Sequence, residues 1–340
     1  MSDTIPAFTS LIDLVSERIG GQTLYATDDF FAEKENLLKP GRGEYIADRF
    51  TDNGKWMDGW ESRRKRVPGH DFCILRLGIP GVVRGVDVDT NHFTGNYPEH
   101  ASVEATVAPA DATPEDLAKA EWTRIVPVSK LEGGSRNLFA VTDRARYTHL
   151  RLSIYPDGGV ARFRVHGEVR PDPKVFETTE PIDLALVHHG GVAVLANDMY
   201  FSHPNNLIMP DVAKNMGDGW ETKRRRGPGN DWVVVKLGAP GTIEKAVVDT
   251  NHFKGNYPDT CSIEGLYLED TDVPADFFAN RNLPWQTLLP QSKLEASTQH
   301  VFEKQQLEQA GPFTHVRLSI YPDGGISRLR LFGRPSRGQA

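Results

Sequence analysis

Two short polar motifs in this 340-residue chain carry residue types that could do chemistry, and each motif occurs twice. The first, DGWE-x-x-R-x-R, spans residues 58–66 and returns at 218–226. It places a carboxylate among guanidinium groups, and Arg is the side chain that holds a ligand carboxylate at two points. The second, DTNHF-x-GNYP, spans 89–98 and 249–258. Its Asp, Asn, His and Tyr residues supply the donors and acceptors that a polar ligand needs.

Both motifs belong to a longer internal repeat. Residues 58–105 align without a gap to 218–265, and 25 of these 48 positions are identical. The identities are mainly polar residues, Gly and Pro, whereas the apolar runs between them have diverged, as core positions can when volume and pattern are kept. A third shared block, 148–167 and 314–333, is identical at 14 of 20 positions. Its RLSIY-PDGG sequence is typical of a strand followed by a tight turn.

The pattern of the whole chain predicts an all-β fold with two tandem repeated β-sandwich or jelly-roll domains. Short alternating segments are separated by turn signals every 8 to 12 residues, and helical periodicity is weak. We expect an N-terminal segment at 1–20 with a short amphipathic helix in LIDLVSERI, repeat 1 at 21–170, a proline-rich linker at 171–183, and repeat 2 at 184–335. Residues 114–132 and 277–295 are interpreted as helix- or loop-like, and residues 41–50 as a loop insertion found only in repeat 1.

Composition limits the classes of partner. A formal net charge of −7 argues against nucleic acid or an anionic membrane surface as partner. No apolar run reaches the roughly 20 residues of a membrane-spanning helix, and the N-terminus lacks the pattern of a secretory signal. The two cysteines, Cys73 and Cys261, occupy unrelated positions in the two repeats. We therefore expect no disulfide and a reducing, cytoplasmic location.

Each motif also has a structural interpretation. Glu61 and Glu221 could form ion pairs that fix their own loop, and the DTNH residues could form an Asx-rich turn. The Pro-Asp-Gly-Gly stretch is explained by a hairpin turn, and His149 and His315 by burial in strands. No HExxH, paired CxxC, phosphate-binding loop or GxSxG motif occurs. From the residues alone we reach a two-domain β protein with polar sites, and no reaction.

The order and content of these motifs resemble the allantoicase (allantoate amidinohydrolase) family. The resemblance rests on DGWE-x-x-R-x-R-x-PG-x-D, VDTNHF-x-GNYP and RLSIYPDGG, each present twice, and it covers residues 25–333. It implies tandem jelly-roll domains similar to galactose-binding domains, and a homo-oligomer. It also implies hydrolysis of allantoate to (S)-ureidoglycolate and urea, in purine catabolism through allantoin.

Allantoate carries one carboxylate and two ureido groups, and the repeated motifs contain residue types that suit each part. We expect the carboxylate to be bound by Arg64 and Arg66, or by Arg224 and Arg226. The ureido groups would be held by Asn91, Asn96 and Tyr97, or by Asn251, Asn256 and Tyr257. The candidates for proton transfer are Glu61, Asp89 and His92 in repeat 1 and Glu221, Asp249 and His252 in repeat 2.

Several alternatives stay open at this point. No motif requires a cofactor, although Asp, Glu, His and Asn could form an oxygen-rich site for a divalent metal. One repeat or both could be active, and the insertion at 41–50 could block or complete a site. The second candidate function is a non-catalytic β-sandwich protein that binds a carbohydrate or ureide. The third is a hydrolase of a related ureido or guanidino compound.

Overall fold

The computed structural model describes residues 5–280, 282–308 and 311–336. The chain divides into two compact units, Met1–Arg170 and Pro171–Ala340. Each unit contains an eight-stranded antiparallel sheet, and equivalent strands are neighbours in the two sheets. The predicted all-β fold with two tandem repeated domains is therefore confirmed.

Strands make up most of the regular structure in both units. Repeat 1 contains β1 (Ile12–Asp13), β2 (Gln22–Ala26), β3 (Phe50–Thr51), β4 (Gly54–Lys55), β5 (Trp60–Glu61), β6 (Asp71–Asp89), β7 (His100–Thr106), β8 (Thr123–Lys130), β9 (Arg136–Ala140), β10 (Arg146–Tyr155), β11 (Gly159–Val160) and β12 (Arg162–Val169). Repeat 2 contains β13 (Ile182–Asp183), β14 (Val192–Ala196), β15 (Trp220–Glu221), β16 (Asp231–Asp249), β17 (Thr260–Leu266), β18 (Gln286–Lys293), β19 (Gln299–Glu303), β20 (Phe313–Tyr321), β21 (Gly325–Ile326) and β22 (Arg328–Pro335). The helices are α1 (Pro114–Ala118) and short 3-10 turns at Ala7–Ser10, Glu17–Ile19, Lys34–Leu38, Pro173–Phe176, Val187–His189, Pro204–Ile208, Met216–Asp218, Ala275–Ala279 and Lys304–Gln306.

One long strand in each repeat joins two groups of strands. The first half of β6, from Asp71, pairs with β2 and β10. The second half, which ends at Asp89, pairs with β12 and β9. The two halves are separated by Gly78, Pro80 and Gly81, and β16 has the same arrangement. The motif residues Asp89 and Asp249 are the last residues of these strands, so each DTNHF loop starts at the far end of the second half, beside the first residues of β12 and β9 or of β22 and β19.

The predicted N-terminal helix is wrong. Ile12 and Asp13 form a strand that pairs with Gly167 and His166, and only Glu17–Ile19 forms a 3-10 turn. Packing prevails over local helical preference here. The Asp13 carboxylate accepts the N–H of Val165 at 2.9 Å, which ties the segment to β12. Residues 1–4 of the predicted segment lie outside the described residues.

The segments interpreted as helix- or loop-like are partly strands. Residues 114–132 contain the short helix α1 and then β8, and residues 277–295 contain the end of a 3-10 turn and then β18. Among the described residues, both strands pair on one side only, with β7 and β17, and are therefore edge strands. Pro127 and Pro290 are tolerated at an edge, and the irregular burial hides the alternation that would identify a strand.

The segment predicted as a linker, 171–183, ends inside a sheet. It contains the 3-10 turn Pro173–Phe176, and then Ile182 and Asp183 pair with Gly333 and Phe332. The insertion at 41–50 is irregular until Phe50, where β3 begins.

The strand histidines are core residues. His149 and His315 are fully buried, and Nδ1 of each lies 2.8 and 2.9 Å from the hydroxyl of the preceding Thr. Nε2 of each is buried and has no hydrogen-bond partner in the part of the chain that the structure describes. Burial, reinforced by the positive charge of Arg76 or Lys236, lowers the pKa of each histidine to about 4. Both rings are therefore neutral in the folded protein at neutral pH.

These two histidines predict a loss of stability in mild acid. As pH falls below 6.5, a histidine of ordinary pKa in the unfolded chain takes up a proton before the folded one does, so folding weakens down to about pH 4. With about 1.4 kcal/mol for each pKa unit, the loss is on the order of 3 kcal/mol per histidine. Urea unfolding between pH 7 and 4.5 measures it. A chain with His149→Asn and His315→Asn should be less stable at pH 7 but show a shallower pH slope, and an identical slope would contradict the assignment.

Candidate active site

A buried phenylalanine anchors the DTNHF loop in each repeat. Phe93 and Phe253 are fully buried. A Cβ added to Gly159 would lie 2.0 Å from the Phe93 ring, and one added to Gly59 would lie 2.7 Å from it. Phe253 has the same contacts, and a Cβ added to Gly325 would lie 1.9 Å from its ring. The glycines of DGW and PDGG are therefore required because the ring of the second motif occupies the space of their side chains.

Backbone hydrogen bonds join the same three motifs. The N–H of Gly325 donates to the carbonyl of Asn256 at 2.9 Å, and the N–H of Thr222 donates to the carbonyl of Gly324 at 3.0 Å. Gly324 has φ +135°, and a Cβ there would lie 2.6 Å from the Asn256 carbonyl oxygen. Repeat 1 has the equivalent contacts. The N–H of Gly159 donates to the carbonyl of Asn96 at 2.8 Å, and the N–H of Ser62 donates to the carbonyl of Gly158 at 3.1 Å. Blocks that are distant in sequence are thus joined into one connected unit in each repeat.

This unit brings a carboxylate of the first motif onto an amide of the second. The Asn96 side chain donates to Glu61 Oε1 at 2.7 Å, and Asn256 donates to Glu221 in the same way. Burial raises the pKa of the Glu61 carboxyl, and the hydrogen bond from Asn96 only partly opposes this effect. A carboxyl with a raised pKa exchanges protons closer to neutral pH, as general acid–base catalysis needs.

The candidate arginines are exposed and unengaged. Among the described residues, no hydrogen bond or ion pair involves the guanidinium of Arg64, Arg66, Arg224 or Arg226. The residue between them is engaged instead, because Lys65 pairs with buried Asp71 at 2.5 Å and Arg225 pairs with buried Asp231. The spare guanidiniums are available to a ligand carboxylate.

A cavity of about 560 Å³ in repeat 2 collects residues from all three motifs. Of the predicted site residues, Glu221, Arg224, Asn256 and Tyr257 line it. The other lining residues are Phe201, Thr222, Arg225, Gly255, Asp259, Pro322, Asp323 and Gly324. Arg226 lies instead on a smaller cavity of about 200 Å³, which shares Arg224 and Arg225 with the first.

The Asp and first Asn of DTNH act within their own loop. Asp89 and Asp249 are buried, and each accepts the N–H of the residue two positions on, at 2.9 and 2.8 Å. In repeat 1, Arg42 of the insertion also holds Asp89 at two points, at 2.7 and 2.9 Å. Asn91 donates to the Arg42 carbonyl, and the Asn251 oxygen accepts the N–H of His252. This half of the loop matches the Asx-rich turn that was the structural alternative.

The two histidines of this motif lie outside the set that lines the cavity. His92 and His252 have φ of 67° and 70°, so the loop turns back at these residues. The His92 ring is 5.7 Å from the Tyr45 ring of the insertion, and His252 Nε2 is 2.7 Å from the Ala213 carbonyl. The insertion at 41–50 thus contacts the DTNH side of its own repeat.

Sequence reasoning missed Phe201, Asp259 and Asp323. Asp323 belongs to the repeated PDGG stretch, whose explanation as a turn left the side chain without a role. Its carboxylate accepts the N–H of Arg225 at 2.8 Å and lines the cavity. Phe201 aligns with Phe31 in the other repeat, a signal that was available but carried no chemistry by itself.

A metal centre has little support in the side chains. Within 5–280, 282–308 and 311–336, no group of three or more His, Cys, Asp and Glu is placed to hold a metal ion. The acids of the two cavities each have another partner. Asp231 pairs with Arg225, Asp323 accepts a backbone N–H, Glu221 accepts the Asn256 amide and Asp259 pairs with Lys293.

Comparison with known proteins identifies the family. The model of the allantoicase repeat matches residues 12–170 and 182–336. The chain belongs to the allantoicase family. Among its relatives, a probable allantoicase of Photobacterium profundum is 49% identical, with 96% of this chain and 97% of that protein covered. Probable allantoicase 1 of Burkholderia mallei is 48% identical, with 96% of each covered.

Solved allantoicase structures agree with this assignment. The allantoicase of Saccharomyces cerevisiae superimposes with a TM-score of 0.77 at 34% identity, and the match covers 96% of both chains. A second allantoicase structure gives a TM-score of 0.78 at 34% identity, covering 96% of this chain and 93% of the other. The similarity extends across both repeats, so the resemblance inferred from the motifs is confirmed.

Two glycines of the shared motifs provide a matched test of the phenylalanine anchor. Gly159→Ala places a methyl group against the Phe93 ring, whereas Gly95→Ala meets nothing within 4 Å. We expect Gly159→Ala to lower the free energy of unfolding by about 1–3 kcal/mol, the usual cost of overpacking. Gly95→Ala should change it by much less. Thermal unfolding of both variants measures the difference, and equal losses would contradict the packing account.

Proposed function

We propose that this chain hydrolyses allantoate to (S)-ureidoglycolate and urea, in purine catabolism. One observation carries the proposal beyond family membership. A spare guanidinium, Arg224, lines the same cavity as the hydrogen-bonded pair Glu221 and Asn256. These groups match the parts of allantoate. The guanidinium of the protein can bind the carboxylate of allantoate, and the amide and carboxylate oxygens of the protein can accept its ureido N–H groups.

The reaction exchanges one bond at the central carbon of allantoate. The C–N bond to one ureido group breaks, and a C–O bond to water forms. Water gives up one proton, and the departing urea nitrogen gains one. The site therefore needs a base near the incoming water, a proton donor near the leaving nitrogen, and groups that fix the carboxylate and the remaining ureido group.

The cavity lining and the hydrogen bonds support one set of roles among those that the motifs left open. We assign the substrate carboxylate to Arg224, the ureido groups to Asn256 and Tyr257, and proton transfer to Glu221. The equivalent residues of repeat 1 are Arg64, Asn96, Tyr97 and Glu61. The buried acids Asp89 and Asp249 are assigned to holding the loop, because their oxygens accept its own N–H groups.

We also propose that the reaction needs no metal. The Glu carboxyl can take the proton from water, and the free arginine balances the substrate charge without a Lewis acid. The other expectations from the sequence stay proposals: a small-molecule substrate and no nucleic acid, a homo-oligomer, and a cytoplasmic location. The last is supported by free, buried Cys73 and Cys261. No helix in the described part of the chain is long and apolar enough to span a membrane.

The direct test is release of urea from allantoate by the purified chain, assayed with and without prior chelation. We expect one urea per allantoate consumed, ureidoglycolate as second product, and the same rate after treatment with a chelator. Saturable binding of allantoate or a sugar without urea would place the protein in the binding class. Turnover of a guanidino acid in preference to allantoate would favour the related hydrolase, and loss of activity reversed by a divalent ion would refute the metal-free route.

Replacing the glutamates tests their role and separates the repeats. Glu61→Gln together with Glu221→Gln should lower kcat by about 10²–10⁴-fold, the usual contribution of general acid–base catalysis. Each single variant then reports the activity of the other repeat. In the Glu221→Gln variant, remaining activity that uses Glu61 as base should rise with pH through a pKa above 4.5, because burial raises that pKa. A double variant with wild-type kcat would exclude the glutamates.

A further inference from the structure

The free arginine of each site sits in a segment that is held on both sides. In repeat 2, Lys223 Nζ lies 3.5 Å from the Asp198 carboxylate, and the Arg225 guanidinium binds buried Asp231. Arg224 is the residue between these two anchors. Its side chain faces the cavity without a partner among the described residues, although its backbone is fixed by its neighbours.

A second anchor connects this segment to the PDGG turn. Asp323 Oδ2 accepts the N–H of Arg225 at 2.8 Å. The N–H of Gly324 donates to the Thr222 hydroxyl at 3.1 Å, and the N–H of Thr222 donates to the Gly324 carbonyl at 3.0 Å. The backbone from Thr222 to Arg225 is therefore attached to the turn at both ends, with Arg224 inside the attached stretch.

Repeat 1 has the same backbone hydrogen bond and the same ion pair, but Lys65 takes the place of Arg225. Asp157 Oδ2 accepts the N–H of Lys65 at 2.8 Å, and Lys65 Nζ lies 2.5 Å from buried Asp71. Arg and Lys differ in shape and in hydrogen-bond geometry. Since the contacts persist while the side chain changes, the common requirement is the position of the backbone.

We infer that Asp157 and Asp323 are positioning residues for the substrate carboxylate. Each carboxylate fixes the backbone of the residue that follows Arg64 or Arg224. In repeat 2 it thereby holds the Arg224 guanidinium at the cavity. An Arg side chain loses rotamer freedom when it is ordered by a ligand. When the backbone is fixed, the guanidinium samples fewer positions before the substrate binds. Less conformational entropy is then lost on binding. This inference rests on the proposed function, because it concerns the same site.

The test is the double variant Asp157→Ala plus Asp323→Ala, assayed for urea release from allantoate. We expect KM to rise about tenfold with kcat within about twofold of wild type, since the contact acts equally on bound substrate and transition state. Asp157→Asn plus Asp323→Asn keeps an oxygen that can accept the N–H. It should recover most of the affinity, with KM within about threefold of wild type.

A matched control removes the same kind of contact elsewhere. Asp143 and Asp270 also accept a backbone N–H, at 2.7 and 2.9 Å, but within their own loops, from the residue two positions on. Neither of them lines the cavity. Asp143→Ala plus Asp270→Ala should leave KM within about twofold of wild type. Thermal unfolding of both double variants shows whether the site variant is folded.

The outcomes separate this inference from the proposed function. Absence of urea release by the wild-type chain would refute the function and the inference with it. Wild-type turnover with an unchanged KM in the folded alanine variant would overturn the inference alone, as would a fall in kcat at constant KM. If the alanine variant does not fold, Asp157→Ser plus Asp323→Ser decides by the same criteria, with the singly changed Asp323→Ser as a further check.

Discussion

The site in each repeat depends on one packing interaction, a phenylalanine ring in a slot lined by glycines. Phe93 or Phe253, from the loop that follows the long central strand, lies against Gly59 and Gly159 or against Gly219 and Gly325. The ring forces the DGW segment, the DTNHF-x-GNYP loop and the PDGG turn into contact. This contact allows Glu61 to accept the Asn96 amide, and it allows Asp157 of the turn to accept the N–H of Lys65.

The duplication acts as an internal control on which contacts matter. The Glu–Asn pair, the buried acid beneath the arginine segment and the Asp of the turn recur in both repeats, whereas Lys65 is replaced by Arg225. The two-point contact of Arg42 with Asp89 uses the insertion, which repeat 2 lacks. We therefore attach the proposed chemistry to the recurring contacts, and assign the insertion to the stability of one loop.

The sequence was sufficient for the fold class, the duplication and the family, because these depend on alternation, turn residues and long repeated motifs. It was less informative where a residue's role depends on contacts between distant segments. Gly95 and Gly159 are equally invariant between the repeats, yet only Gly159 faces a ring. Asn91 and Asn96 are both amides in one loop, yet Asn91 serves a backbone carbonyl and Asn96 serves Glu61. Strand β8 was missed because an edge position allows Pro127 and irregular burial.

We propose that allantoate binds where Arg64 or Arg224 lies near the Glu–Asn pair. The most direct measurement is calorimetric titration of allantoate onto the slow variant with Glu61→Gln and Glu221→Gln, before and after adding Arg64→Gln and Arg224→Gln. We predict saturable binding to the first protein, and affinity at least about tenfold weaker for the second, since a charge-assisted contact contributes about 1.5–3 kcal/mol. Equal affinity for the two proteins would contradict it and place the substrate elsewhere on the chain.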